Sequence, residues 1–322
     1  MAALVVVNPN RFRLPNAATK KAVRLVDHNY TIQISQKKNN SKRLSEILKK
    51  SYNKDRNMNN HIKTNRDHWN KLTEIHKGSD FYNVDTFKKG ENTIPKLEID
   101  EIGSVKGKSL LHLQCHFGMD TLSWARLGAI TTGADLSDSS IAYAKELSRD
   151  LNIPASFICS DIYNLPKVLS EKFDVIYTSG GVLCWLSDLP KWGQLISNYL
   201  KQGGMFYIRE EHPFANMYSH EFQLKTDYYF DTGEPEHVIP KGSYANRKAI
   251  VTTTSYQWHH TIEEIIDSLI FSGLKIDFFH EFPFIGYARF GELMEQDKDG
   301  WFRFKDRKVK IPLTFSLKAT KY

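Results

Sequence analysis

The stretch Ser109-Leu-Leu-His-Leu-Gln-Cys-His-Phe-Gly-Met-Asp120 decides the fold. An apolar strand run breaks into a turn containing Gly118, and an amphipathic helix follows from Asp120 to Leu127. A strand, a tight turn and a helix N-terminus form the first unit of a nucleotide-binding α/β sheet, where backbone N–H groups and the helix dipole meet a polar or anionic ligand. Gln114 and His116 stand where such turns carry glycines, so the turn by itself is ambiguous.

The following segments resolve the ambiguity. A second apolar run, Ile130 to Asp135, ends in Ala134-Asp135-Leu136, which puts a carboxylate about 20 residues beyond the turn, the spacing of an acid that accepts from ribose hydroxyls. A third run, Ala155 to Cys159, leads into Ser160-Asp161-Ile162, and a fourth spans Phe173 to Thr178, followed by Ser179-Gly180-Gly181. A helix from Leu189 to Leu200 and a fifth run, Met205 to Glu210, complete the rhythm. Ser137 or Asp138 is placed to cap the helix that runs to Leu151. Alternating units of this kind imply a parallel sheet covered on both faces, with ligands beyond the carboxyl ends of the strands.

On these residues the chain resembles the class I S-adenosylmethionine-dependent methyltransferases. More narrowly it is similar to a bacterial group of mostly unassigned substrate that shares the His-Leu-Gln-Cys-His-Phe-Gly form of the turn, over about Arg66 to Tyr322. The resemblance implies an α/β fold: a doubly wound, seven-stranded, mostly parallel sheet of the Rossmann-like methyltransferase type, with its last strand, within Ile311 to Thr320, inserted antiparallel. It implies S-adenosylmethionine as cofactor, with Asp135 and Leu136 at the ribose, Asp161 and Ile162 at the adenine, and Gln114, His116, Gly118 and Ser179 around the methionine end. His112 replaces an acidic residue of the family pattern, which leaves Gln114 or a backbone carbonyl for the cofactor amino group.

A nicotinamide-dependent dehydrogenase shares the strand, turn and distal acid. It fits less well, because a pyrophosphate needs close backbone approach and bulky His116 stands at that position.

Composition bounds the remaining choices. With 322 residues, 41% of them hydrophobic, the chain is long enough for one large α/β domain with additions. No apolar stretch approaches a membrane span of about 18 residues. Cys115, Cys159 and Cys184 show neither paired nor zinc-binding spacing, so reduced thiols, a cytoplasmic setting and no metal are expected. The net charge of +7 is uneven: residues 1–57 hold 13 Lys or Arg against 3 Asp or Glu, and the remainder 31 against 34. Residues 1–57 are therefore read as a basic, flexible tail and residues 58–322 as the methyltransferase domain, with a cap over 58–107. The tail keeps RNA open as a partner, and an RNA-associated methyltransferase or RNA-binding protein as the alternative to a small-molecule enzyme. A binding module that has lost catalysis is a third reading, given the altered turn.

After the fifth strand, residues 211–256 carry three prolines and several aromatics, too long for an ordinary connection and read as a substrate-covering insertion. Phe81, Tyr82, Tyr228 and Trp258 are the expected substrate contacts, unless they only pack the core. Methyl transfer needs positioning more than a strong base. Where a base is used, His212 suits proton transfer at neutral pH, with Glu210 and Glu211 beside it at the strand end and His259-His260 as a second choice. No Asn-Pro-Pro-Tyr signature follows the fourth strand, where Thr178-Ser-Gly-Gly stands, which disfavours methylation of DNA amino groups.

Overall fold

A computed structural model describes residues 3–7, 21–24, 31–35, 41–228 and 234–322, with side chains from Met58 onward. The chain divides into two compact units, Met1–His61 and Ile62–Tyr322. In the first, β1 (Ala3–Val7), β2 (Lys21–Arg24) and β3 (Thr31–Ser35) form an antiparallel sheet in the order β1-β3-β2. The flexible tail expected over residues 1–57 falls in large part outside the described residues. Helix α1 spans Ser41–His76, much longer than the Arg66–His76 helix read from the sequence, and the boundary expected at Met58 lies within it. Its early part is rich in Lys, Leu, Glu and Arg, good helix formers that need no apolar period to declare them.

The second unit continues with α2 (Val84–Lys88), α3 (Lys96–Ile102), β4 (Ser109–Leu113), α4 (Met119–Arg126), β5 (Ile130–Asp135), α5 (Asp138–Asp150) and β6 (Ser156–Cys159). Then follow β7 (Phe173–Thr178), α6 (Leu189–Tyr199), β8 (Leu200–Glu211), α7 (Pro213–Asn216), β9 (Glu236–Val238), β10 (Ser255–Gln257), α8 (Ile262–Phe271), β11 (Leu274–Phe282), β12 (Met294–Gln296), β13 (Phe302–Phe304) and β14 (Thr314–Lys321). The central sheet has seven strands in the order β11-β14-β8-β7-β4-β5-β6. Strands β4 to β8 are parallel, and β14 runs antiparallel to both neighbours. This is the expected doubly wound, Rossmann-like methyltransferase fold, including its reversed last strand.

Alternation along the strands builds a core on each face. Leu111, Ile176, Phe206 and Ile208 pack with Trp192 and Ile196 of α6 and Leu269 of α8, whereas Leu110, Val175, Tyr177 and Tyr207 pack with Trp124 of α4. Ser137 caps α5 through a bond from Ser140 N–H, and a Thr261–Glu264 capping box starts α8. The order reverses between β4 and β7, which opens a crevice at their carboxyl ends.

Two segments depart from expectation. The β-like stretch read over 249–256 is a strand only at its end, in β10, while Thr253 Oγ1 lies 2.9 Å from His68 Nδ1. Residues 283–310, given no role by the sequence, include the β12–β13 hairpin, which packs in a small core of Ala215, Ile285, Phe290, Met294, Phe304 and Leu313, so that the last strand begins at Thr314.

Candidate active site

A cavity of about 1500 Å³ opens at the carboxyl ends of β4, β5, β7 and β8. Its walls divide by origin. The strand ends contribute Gln114, His116, Asp120, Asp135, Leu136, Asp161, Ile162, Ser179 and Gly180, while α1, the insertion and residues 283–304 contribute aromatic rings and arginines.

The turn keeps the backbone of a glycine turn without the glycines. Gln114 (φ 56°) and His116 (φ 49°) are both left-handed, a conformation that costs a side-chain-bearing residue about 1–2 kcal/mol. In return, both side chains reach the cavity wall. Gln114 Nε2 donates to Val182 O (3.1 Å) across the crevice, whereas its buried Oε1 has no hydrogen-bond partner. Gly118 needs a correction: it is not on the cavity wall. It is left-handed (φ 80°), and a Cβ there would meet the Phe157 ring at 2.6 Å, so its role is to let α4 pack against β6.

Asp135 stands where expected and is fixed by backbone. Its Oδ2 accepts from His116 N–H (2.8 Å) and its Oδ1 from Ser137 N–H (2.8 Å). Burial raises its pKa to about 6 against the lowering effect of these bonds, so it is a carboxylate at neutral pH. Asp161 accepts from Asn164 Nδ2 (2.9 Å), and burial raises its pKa as well. His112 is buried behind the wall, 2.9 Å from Thr121 Oγ1 and 3.4 Å from Ser179 Oγ, and burial lowers its pKa to about 3.

His116 is a middle link of a polar chain at the site. Its Nδ1 lies 3.0 Å from Ser140 Oγ and its Nε2 3.0 Å from His76 Nδ1, while His76 Nε2 lies 2.6 Å from Ser243 Oγ. Ser140 Oγ contacts Thr73 Oγ1 (2.6 Å), which donates to Trp69 O (2.8 Å). A carbonyl only accepts, so satisfying every contact orients the whole chain. Ser243 donates to His76 Nε2, His76 Nδ1–H to His116 Nε2, His116 Nδ1–H to Ser140, and Ser140 to Thr73. Burial lowers the pKa of His76 to about 3 and that of His116 well below its ordinary value, which keeps both rings neutral.

Of the two expected bases, Glu210 is on the cavity wall and His212 is not. Glu210 is buried, and its oxygens accept from four backbone N–H groups: Gly181 (2.5 Å), Val182 (2.7 Å), Leu183 (3.0 Å) and Glu211 (2.7 Å). It anchors the loop after β7. His212 is buried off the cavity wall; its Nδ1 accepts from Phe214 N–H (3.1 Å) as the cap of α7, and its Nε2 faces Glu281 Oε1 at 3.0 Å. Burial lowers its pKa, partly offset by Glu281. The neighbouring Glu211 does line the cavity, accepting from Tyr287 OH (2.8 Å) and Arg289 Nη1 (2.7 Å). His259 Nε2 lies 2.9 Å from Glu236 Oε2 and His260 Nε2 2.7 Å from Leu186 O, both on the wall.

Of the expected substrate contacts, Phe81, Tyr82 and Trp258 line the cavity, and Tyr82 OH bonds Tyr244 OH. Tyr228 does not: its hydroxyl accepts from Ile262 N–H (3.1 Å) at the start of α8. Sequence reasoning missed Asp120, Arg209, Tyr287, Arg289 and Trp301 on the wall. Asp120 sits in the first turn of the helix after the decisive turn, and Arg209 is a charge inside an apolar strand, signals that were available. Among the described residues no group of three or more His, Cys, Asp or Glu is placed to hold a metal, and no helix is long and apolar enough to cross a membrane.

Residues 111–208, β4 to β8, match the family model described as a methyltransferase domain. The chain is similar to a ubiquinone biosynthesis O-methyltransferase of Coxiella burnetii, 26% identical over 163 residues, which is 50% of this chain and 64% of that protein. The chain thus spans less than two thirds of that relative's length. Among solved structures it is similar to S-adenosylmethionine dependent methyltransferases from Listeria monocytogenes (19% identity, TM-score 0.49, 70% of this chain and 97% of that one) and Mesorhizobium loti (19%, 0.47, 73% and 100%).

Proposed function

We propose that the protein is an S-adenosylmethionine-dependent methyltransferase that modifies a small-molecule acceptor, akin to the bacterial group sharing its turn sequence. One observation carries the reading: the cavity wall carries both an anchored carboxylate, Asp135, and an unpartnered buried acceptor, Gln114 Oε1. A carboxylate has about four lone-pair sites, and the two N–H bonds leave Asp135 about two for a ribose diol. Gln114 Oε1 fits an ammonium donor at the methionine end, and Asp161 and Ile162 would flank the adenine. Side chains at positions 114 and 116 suit a ligand without a pyrophosphate.

When bound, S-adenosylmethionine supplies a methyl group activated on a sulfonium. The chain's task is to hold the acceptor in line with it and exclude water. The aromatic wall of Phe81, Tyr82, Tyr244, Trp258 and Tyr287 suits a planar or amphipathic acceptor. The name of the Coxiella relative supports an acceptor of that size. The cytoplasmic setting belongs to the same proposal, supported by the free thiols of Cys115, Cys159 and Cys184.

The test is release of S-adenosylhomocysteine during incubation with a panel of phenols, carboxylic acids and amines. Turnover with a small acceptor that Asp135→Ala abolishes supports the proposal. Turnover that requires RNA would overturn its small-molecule part.

A further inference from the structure

We infer that Arg209 forms a carboxylate-binding subsite inside the cavity, held in place by Glu98 and faced by Trp301. The inference rests on the cavity being the methyltransferase site proposed above.

Strand β8 is buried over Phe206, Tyr207 and Ile208, and an arginine follows directly. Such a charge is costly in a sheet interior unless it is paired. The pair is Glu98 of α3, fully buried, whose Oε1 accepts from Arg209 Nε at 2.5 Å and whose Oε2 accepts from Tyr177 OH. This contact uses one N–H of five. The Nη1 and Nη2 groups bond no protein group among the described residues, and the side chain keeps 16% exposure on the cavity wall.

Two neighbours shape the surroundings of the guanidinium. The Trp301 ring lies 5.4 Å from it, a cation–π contact. Gly180 leaves room beside Nη1, since a Cβ there would stand 2.9 Å from it. A pinned, planar fork with free N–H groups matches a carboxylate bidentately. Glu98 balances the arginine's charge and Asp120 lies within electrostatic reach of it, so the free N–H groups of the fork, not a net positive charge, hold the ligand, and a singly charged planar anion suits the site better than a phosphate.

Two ligands could bring that carboxylate: the methionine end of the donor or the acceptor itself. Calorimetric titrations with S-adenosylhomocysteine, with 5′-methylthioadenosine, which lacks the amino-acid end, and with 4-hydroxybenzoate distinguish them. The variants are Arg209→Lys, which keeps a charge beside Glu98 but loses the fork, and Glu98→Gln/Arg209→Met, which removes both charges together. The expected result is a loss of about tenfold or more for a carboxylate ligand while 5′-methylthioadenosine is unchanged. If S-adenosylhomocysteine carries the loss, the donor occupies the subsite; if 4-hydroxybenzoate carries it, the acceptor does. Carboxylate binding that persists in both variants, that is absent from the wild type, or that falls only in step with 5′-methylthioadenosine overturns the inference. A wild type that binds neither adenosyl ligand defeats the methyltransferase reading instead, and the 4-hydroxybenzoate titration still judges Arg209.

Discussion

His76 Nδ1 lies 3.0 Å from His116 Nε2, which joins helix α1 to the decisive turn through two neutral rings. Protonating His116 would leave two N–H donors facing each other, and protonating His76 would turn its Nε2 from acceptor to donor towards Ser243 Oγ. Burial lowers the folded pKa values of His68 to about 4, of His76 and His112 to about 3, and of His116 well below 6.5. The unfolded chain therefore takes up these protons first, and their stabilisation, complete above pH 6.5, is lost as the pH falls below it, at about 1.4 kcal/mol per pH unit for each histidine. Asp120 and Asp135 oppose the trend, because burial raises their folded pKa values to about 6 from 3.8 and they gain stability as the pH falls through that interval. Asp161 and Glu210, raised by burial, oppose it as well, and His212, lowered by burial, adds to it; with five histidines against four carboxylates, stability is expected to fall as the pH drops from 6 to 4. Urea denaturation across that range should show it, with a shallower slope in His76→Gln. Stability that stays flat from pH 7 to 5 would refute the neutral pair.

Glu210 and the loop it holds offer a second check. Glu210→Gln replaces an oxygen that accepts N–H groups with an amide that donates. A loss of about 2–3 kcal/mol is expected. Hydrogen exchange at Gly181, Val182 and Leu183 should accelerate locally, and cofactor affinity should fall with it. A base at this position would instead lose turnover with the loop amides still protected.

Gln114 separates stability from binding. Gln114→Gly relieves the left-handed strain of about 1–2 kcal/mol, offset by about 0.5–1 kcal/mol of added chain entropy. The lost bond to Val182 O costs about 0.5–1.5 kcal/mol more, so the melting temperature should stay close to that of the wild type. Affinity for S-adenosylhomocysteine should drop about tenfold with the loss of the buried acceptor. A variant that binds as tightly as the wild type would release Gln114 from its assigned role.

The sheet was legible because its strands are buried on both faces and announce themselves as apolar runs, and because Asp135 and Asp161 end such runs. Directions at strand ends were not legible. β8 continues to Glu211, and only the pairing with β14 and the docking of residues 283–313 turn Glu211 toward the cavity and His212 away from it. Tyr228 within the insertion and Trp258 just after it look alike as aromatics, yet one caps α8 and the other lines the wall, a difference set by contacts distant in sequence. Arg289 and Trp301 lie in a segment whose elements are too short to show a period. Gly118 could be read as a ligand glycine because a turn pattern does not reveal that Phe157 packs against it.

The most direct measurement is a calorimetric titration of S-adenosylhomocysteine into the wild-type chain and into Asp135→Ala. One site per chain in the wild type is predicted, with thermal stabilisation of about 2.7 kcal/mol at 100 times the dissociation constant, and neither in the variant. No binding to the wild type at millimolar ligand, or equal binding to both, would contradict the account.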